Sequence, residues 1–197
     1  LYLAHTMVHT ILGASKKFLG KSKRGLYGDA VEEIDWNVGR ILDMVRELGL
    51  AEDTYILYTS DNGPWICKGK AGGSAYPLRN GKGTLYEGGT RVPLVVRWPG
   101  RVPSASQTAA VVHAVDLYPT LLELAGLKPN PEQIIDGTSF AAVLRDPQAT
   151  LPREAVFNYF PMGGPSKPGG VWVRQGDWKL IRWFETGPEY PDLHELY

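Results

Sequence analysis

The sequence predicts an α/β region followed by a small antiparallel sheet, and three observations predict it. A long amphipathic helical run, residues 31–50, is followed within a few residues by the apolar strand-like run "TYILYTS", residues 54–60. A second pair, the strand-like "PLVVRWPG" and the helical "VDLYPTLLELAG", comes next. After residue 127 turn residues dominate, in "KPNPE" and "RDPQATLPRE", and three β-type runs then succeed one another: "AVFNYF", "GVWVRQ" and "WKLIRWF". The expected division is residues 1–150 for the α/β part and residues 151–197 for an antiparallel β subdomain.

Taken in order, "LYLAH" is apolar enough for a short strand, and the Gly-, Lys- and Ser-rich residues 13–28 read as an exposed loop. Val31, Ile34, Val38, Ile41, Leu42, Val45 and Leu48 then recur at three- and four-residue steps, which makes one apolar helix face. Asp29 with Glu32 suits a capping box at its start, and Gly49 suits a left-handed stop. Residues 63–91 are glycine-rich without a period and read as a long structured loop. In the second helix Asp116 suits the cap, Pro119 falls in the first turn, and Gly126 ends it. Gly176-Asp177 between the last two β runs is a two-residue hairpin signal.

Composition narrows the function classes. Lys plus Arg and Asp plus Glu both number 21, so the chain of 197 residues has no global electrostatic case for nucleic acid or an anionic membrane. Local basic clusters remain, at Lys16-Lys17 and from Lys21 to Arg24. The single cysteine, Cys67, excludes an internal disulfide framework. No run reaches membrane-spanning length. The first residues carry neither an initiator Met nor a signal-peptide pattern, and both ends read as cuts within a longer chain.

Two patterns fail as motifs. "GASKKFLGKS" has two residues too many between Gly13 and Gly20-Lys21 for a phosphate-binding loop, and in "NGKGT" Lys82 is followed by Gly. His5 and His9 are four apart but lack the intervening Glu and the helix of a zinc-protease site. Two other blocks carry chemistry. In "TSDNGPW", Asp61 and Asn62 follow an apolar run; at the carboxyl end of a parallel strand their oxygens suit a hard cation, Ca²⁺ or Mg²⁺. The same residues equally suit a turn in which both side chains bond their own backbone. In "PLRNGKGTLYEGGTRVP", Lys82 stands between two glycines, a presentation that suits a tetrahedral anion as well as it suits a solvated surface lysine.

Taken together and in order, "LYLAHTMVHT", "VEEIDWNVGRILDMVRELGL", "SDNGPW", "LRNGKGTLYEGGTRVP", "DLYPTLLELAG", "IDGTSFAAVL", "VRQGDWKLIRWF" and "ELY" resemble the sulfatase family, over nearly the whole chain. The resemblance implies an alkaline-phosphatase-like α/β sheet flanked by helices, here partial, with a smaller C-terminal antiparallel sheet. It implies hydrolysis of a sulfate ester, of a carbohydrate or an aryl alcohol, by a formylglycine made from Cys or Ser in a C/S-x-P-S-R motif. That motif does not occur in these residues, and Cys67 in "ICKGK" does not match it. In family order the motif lies upstream of "LYLAH", so the chain by itself is expected to be inactive.

Four positions carry over by resemblance. Asp61 and Asn62 match the metal-ligating Asp-Asn pair, for Ca²⁺ or Mg²⁺. Lys82 matches the lysine that contacts the sulfate. His9 matches the histidine of a P-H-T-P-like segment, which would bind the ester oxygen and protonate the departing alkoxide. Here Val8 and Ile11 replace the family's prolines, so that loop departs from the family pattern. His5 reads as structural or as a pocket residue. Trp65, Lys68, Lys70 and Tyr76 suit the mouth of a pocket for a sugar or a polyanionic glycan, or ordinary loop packing. The expected partner is a sulfated small molecule or glycan, without nucleic acid or membrane, and the cut chain is expected to self-associate. Export to a periplasmic, secreted or lysosomal compartment follows from the resemblance alone. A phosphoesterase or phosphonate hydrolase of the same superfamily, or a non-catalytic binding module, is the alternative reading.

Overall fold

The computed structural model describes residues 1–160, 169–184 and 193–197. They form two compact units, Leu1–Trp98 and Pro99–Tyr197.

The first unit is built on helix α1, Gly25–Glu47. Its C-terminus follows from the sequence: Gly49 adopts φ 71°, its N–H bonds the Arg46 carbonyl, and the Leu50 N–H bonds the Val45 carbonyl, which together satisfy the last turn. Its N-terminus differs from expectation. The helix begins at Gly25, so residues 25–28 belong to it rather than to the preceding loop, and Asp29 lies inside it, not at its cap. The buried Asp29 carboxylate instead accepts the backbone N–H groups of Gly20 (2.8 Å), Lys21 (3.1 Å) and Ser22 (2.7 Å). These bonds hold the carboxyl below its ordinary value, Ser22 contributing most, and fasten the basic loop to the helix. The apolar stripe of α1 is only partly covered. Val31 and Leu48 are exposed, and the buried residues of the helix are Gly28, Asp29 and Ala30.

Residues 1–6 form no regular structure, which corrects the expected strand at "LYLAH". The apolar run alone does not make a strand, since a strand needs a partner for its backbone groups, and no described strand pairs with it. Strand β1, Ile56–Thr59, pairs with strand β2, Leu94–Arg97. The pairing is antiparallel, with Ile56 opposite Arg97 and Thr59 opposite Leu94. The described partner of β1 is therefore not the parallel neighbour from which Asp61 and Asn62 were placed at a carboxyl-end crevice. Between the strands, residues 66–71 make a 3₁₀ turn and Glu87–Thr90 a short helix, α2, so the loop expected at 63–91 contains two helical turns.

The second unit starts with helix α3, Leu117–Leu124, and helix α4, Ala141–Arg145. Gly126 has φ 69° beyond the end of α3, as a C-terminal stop requires. Asp116 stands at the N-cap but makes no cap hydrogen bond to α3. Its carboxylate accepts from the N–H of His113 (2.7 Å) and of Thr138 (2.8 Å) and from Arg153 Nη1 (2.7 and 2.9 Å). Arg153 also donates to the Val111 carbonyl. Four strands follow: β3 (Val156–Phe160), β4 (Gly170–Gln175), β5 (Trp178–Trp183) and β6 (Leu193–Leu196), in that order and all antiparallel. Gly176 at φ 57° makes the β4–β5 turn, placing Gln175 opposite Trp178. Side chains alternate across this sheet. Trp172 and its partner Ile181 are buried, while Phe157, Val173, Leu180 and Leu196, aligned across the four strands, are exposed. No helix among the described residues is long and apolar enough to cross a membrane.

Candidate functional site

The two chemistry-bearing blocks both lie between β1 and β2 in the sequence and are fastened to each other by backbone. The Gly63 N–H donates to the Gly89 carbonyl (3.0 Å), and the Lys82 N–H donates to the Pro64 carbonyl (2.8 Å). The approach is too close for side chains. A Cβ on Gly63 would lie 1.8 Å from the Gly88 oxygen, and one on Gly88 would lie 2.1 Å from the Asn80 oxygen. The glycines thus permit contact between main chains, which fixes the blocks relative to each other more tightly than interdigitating side chains would. Beneath them Leu85 is completely buried. Thr59 Oγ1 ties the end of β1 to the Pro93 carbonyl, 2.9 Å away.

Asp61 and Asn62 occupy the two positions before Gly63. Asp61 is exposed and Asn62 half-buried, and Ser60 Oγ donates to the Asn62 carbonyl at 3.0 Å. Their oxygens are the right donors for Ca²⁺ or Mg²⁺, but two side chains fall short of the six or more oxygens that Ca²⁺ takes. Among the described residues no group of three or more His, Cys, Asp or Glu side chains could hold a metal ion.

The other candidates converge on Trp65. The His9 ring lies 5.5 Å from the Trp65 ring, centroid to centroid, at 39°. Lys82 Nζ is 5.6 Å from the same ring centroid, and Lys68 Nζ 4.6 Å. His9 Nδ1 is 2.7 Å from the Thr10 carbonyl. With the proton on Nδ1, that bond leaves Nε2 as the nitrogen available to a ligand. Two expected pocket residues stand apart from this cluster. Tyr76 is 91% exposed, and Lys70 is exposed in the 3₁₀ turn. Cys67 is an exposed free thiol. His5 lies on an open cleft shared with Ser15, Glu33 and Asn37.

The order of these blocks is that of a known family. A sulfatase family model matches residues 1–127, and a model of the C-terminal region of N-sulphoglucosamine sulphohydrolase matches residues 80–197. The chain belongs to the sulfatase family. It is 41% identical to human steryl-sulfatase over 164 residues, 81% of the chain and 28% of that protein. It is also 41% identical to N-acetylgalactosamine-6-sulfatase of Sus scrofa over 160 residues, 81% of the chain and 30% of that protein. The chain therefore spans under a third of the length of these curated relatives. Among solved structures, the PsFucS1 sulfatase of Pseudoalteromonas sp. matches 97% of the chain and 38% of its own, at 27% identity and TM-score 0.79. BT4656, solved with its substrate D-glucosamine-2-N,6-O-disulfate, matches 87% of the chain and 33% of its own, at 27% identity and TM-score 0.70. The sulfatase chain thus has the mixed α/β, alkaline-phosphatase-like fold expected of it, with helices and antiparallel sheets in the part described.

The sequence suits Trp65 to the mouth of a sugar pocket or to ordinary loop packing. It did not foresee that this ring would contact both His9 and Lys82. The available signal was adjacency: Trp65 follows "DNGP" directly, and that block is hydrogen-bonded to the backbone of Lys82.

Proposed function

We propose that this chain forms part of a sulfuric ester hydrolase acting on a sulfated carbohydrate or aryl alcohol. The observation that supports the reading most is the backbone register just described. It joins Lys82 to the block that carries Asp61 and Asn62 and sets its ammonium by the Trp65 indole, a ring that the His9 imidazole also contacts. Within this reading Lys82 binds a sulfate oxygen as a compact point charge and opposes the negative charge that grows as the ester bond breaks. His9, with Nδ1–H held by the Thr10 carbonyl, presents Nε2 to the ester oxygen and passes a proton to the departing alkoxide. Asp61 and Asn62 supply two of the oxygens for a cation, and the cation's contribution would be to neutralise sulfate oxygens. The nucleophile, a formylglycine, comes from residues outside these 197. An exported compartment belongs to the same proposal.

The expected substrate class has support from names alone: one relative is a 6-sulfatase of a sugar, and BT4656 binds a sulfated glucosamine. The test is hydrolysis of an aryl sulfate and of sulfated monosaccharides by the full-length protein with its formylglycine formed. Activity there, with Lys82→Ala reducing kcat/KM by about 10²-fold or more, is the expected result. Hydrolysis of phosphate esters but not sulfate esters would replace the reading with a phosphoesterase. A second measurement concerns the cation. The 197-residue chain alone is expected to bind Ca²⁺ weakly, because it offers two of the needed ligands. Micromolar affinity by calorimetry would show that it holds a complete site. The uncovered apolar residues of α1 and the exposed row on the β3–β6 sheet support self-association of this chain on its own.

A further inference from the structure

We propose that Trp65 is a positioning residue: its indole sets the separation and orientation of the His9 imidazole and the Lys82 ammonium. The proposal rests on the roles given to those two residues above.

The backbone that carries the ring is itself fixed. The Pro64 carbonyl, one residue before it, accepts the N–H of Lys82 (2.8 Å) and of Ile66 (3.1 Å). A Cβ on Gly81 would lie 2.4 Å from that same carbonyl, so the backbone next to Lys82 is pressed against the backbone next to Trp65. On its other side the Trp65 carbonyl accepts the Lys68 N–H (2.9 Å), and a Cβ on Gly72 would lie 1.9 Å from it. The main chain around Trp65 therefore has little room to shift, and the half-buried indole stands on a fixed base.

Long side chains need such a neighbour. A lysine ammonium sweeps several ångströms through its four-carbon stem, and the imidazole of the exposed His9, on an irregular loop, has its described hydrogen bond to the neighbouring Thr10 carbonyl. The indole face attracts both nearby ammonium groups through its quadrupole. Its flat surface also limits where the His9 ring can go. Lys68 Nζ lies 4.6 Å from the same ring, and its residue is exposed. A displacement of about 1 Å in a catalytic group can cost about 10²-fold in rate. Trp65 is thus placed to influence catalysis without itself touching the reacting atoms.

The role has a chemical signature. A good leaving group such as 4-nitrophenoxide departs with little help from an acid, whereas a sugar alkoxide needs the proton from His9. Misplacing His9 should therefore damage sugar sulfate hydrolysis more than aryl sulfate hydrolysis. The experiment uses the full-length protein with its formylglycine formed, as wild type, Trp65→Phe and Trp65→Leu. Trp65→Leu is expected to lower kcat about 10- to 100-fold on a sulfated monosaccharide, and several-fold less on 4-nitrophenyl sulfate. KM should change less than kcat. Trp65→Phe keeps a flat ring and should restore most of the rate. Leucine and phenylalanine variants both equal to wild type would overturn the proposal. So would an equal loss on both substrates accompanied by a lowered melting temperature, since that is the mark of a structural role. Failure of the underlying reading looks different: wild type would then hydrolyse neither substrate, or Lys82→Ala would leave the rate intact.

Discussion

Each of the two units of this chain is held by a different kind of internal contact. In the first, the segment from Ser60 to Arg91 is fixed by main chain against main chain, with Gly63 on Gly88 and Gly81 on Pro64. In the second, the organising contact is a buried side-chain hub, in which Asp116 accepts from Arg153, His113 and Thr138. The difference teaches where each unit is vulnerable. A backbone contact fails when anything is added to it. A charged hub fails when anything is taken away.

The largest expected effect lies in the hub. The Asp116 side chain is fully buried, and the Arg153 side chain is 15% exposed. Asp116→Ala leaves Arg153 Nη1 and two backbone N–H groups without their acceptor, while Nη2 keeps the Val111 carbonyl. The expected loss is about 3–5 kcal/mol, the range for breaking one partner of a buried pair. Urea denaturation followed by Trp fluorescence measures it. A loss under about 1 kcal/mol would mean that the pair behaves as a surface salt bridge.

The next effect tests the first unit from the opposite direction. Gly63→Ala puts a methyl 1.8 Å from the Gly88 oxygen, so one of the two main chains must move. Overpacking of this kind costs about 1–3 kcal/mol. Gly39→Ala is the control. Gly39 lies inside α1, and its Cβ would meet nothing within 4 Å. There the helix should gain about 1 kcal/mol, since alanine is the better helix former. Opposite signs for two Gly→Ala changes in one unit would sharpen the comparison. Matching signs would break it, because the glycine contacts would then not be what fixes the site.

How much of this was legible in the sequence follows the same divide. Local signals read true. Gly49 ended α1, Gly126 ended α3, and Gly176-Asp177 turned the hairpin, because each depends on φ at one residue. The order of the site blocks was legible as a resemblance. Their contact was not: a run of glycines announces freedom, but not which carbonyl will fill the space. Asp29 with Glu32 three residues on has the spacing of a capping box. Its carboxylate instead turned backwards to the loop at residues 20–22, and the helix started at Gly25. The Asp116–Arg153 pair joins residues 37 positions apart, and no periodicity encodes a partner at that distance. Trp65 shows both halves of the lesson. Its aromatic ring suits a sugar pocket or ordinary loop packing, while its contacts with His9 and Lys82 join three separate stretches of chain.

The smallest effect probes the rim of the hub through pH. His113 Nδ1 accepts the Val115 N–H, so the bond requires that nitrogen to be unprotonated. Burial is the main cause holding this imidazole below its ordinary value; the facing Asp116 carboxylate pulls it up, and the facing Arg153 guanidinium pushes it down. The unfolded chain, with His113 near 6.5, then binds the proton more readily than the folded one. The stability His113 contributes is therefore complete above that value, and it drains away as pH falls from there through the lower, folded value. His113→Asn removes the titration while keeping an oxygen that can accept the Val115 N–H, as asparagine does at many helix starts. Denaturation midpoints measured at pH 8, 6 and 5 should fall with pH in the wild type, and the fall should be shallower in the variant. Equal slopes would remove His113 from the hub's pH dependence and leave the carboxylates to account for it, at the lower pH where they titrate.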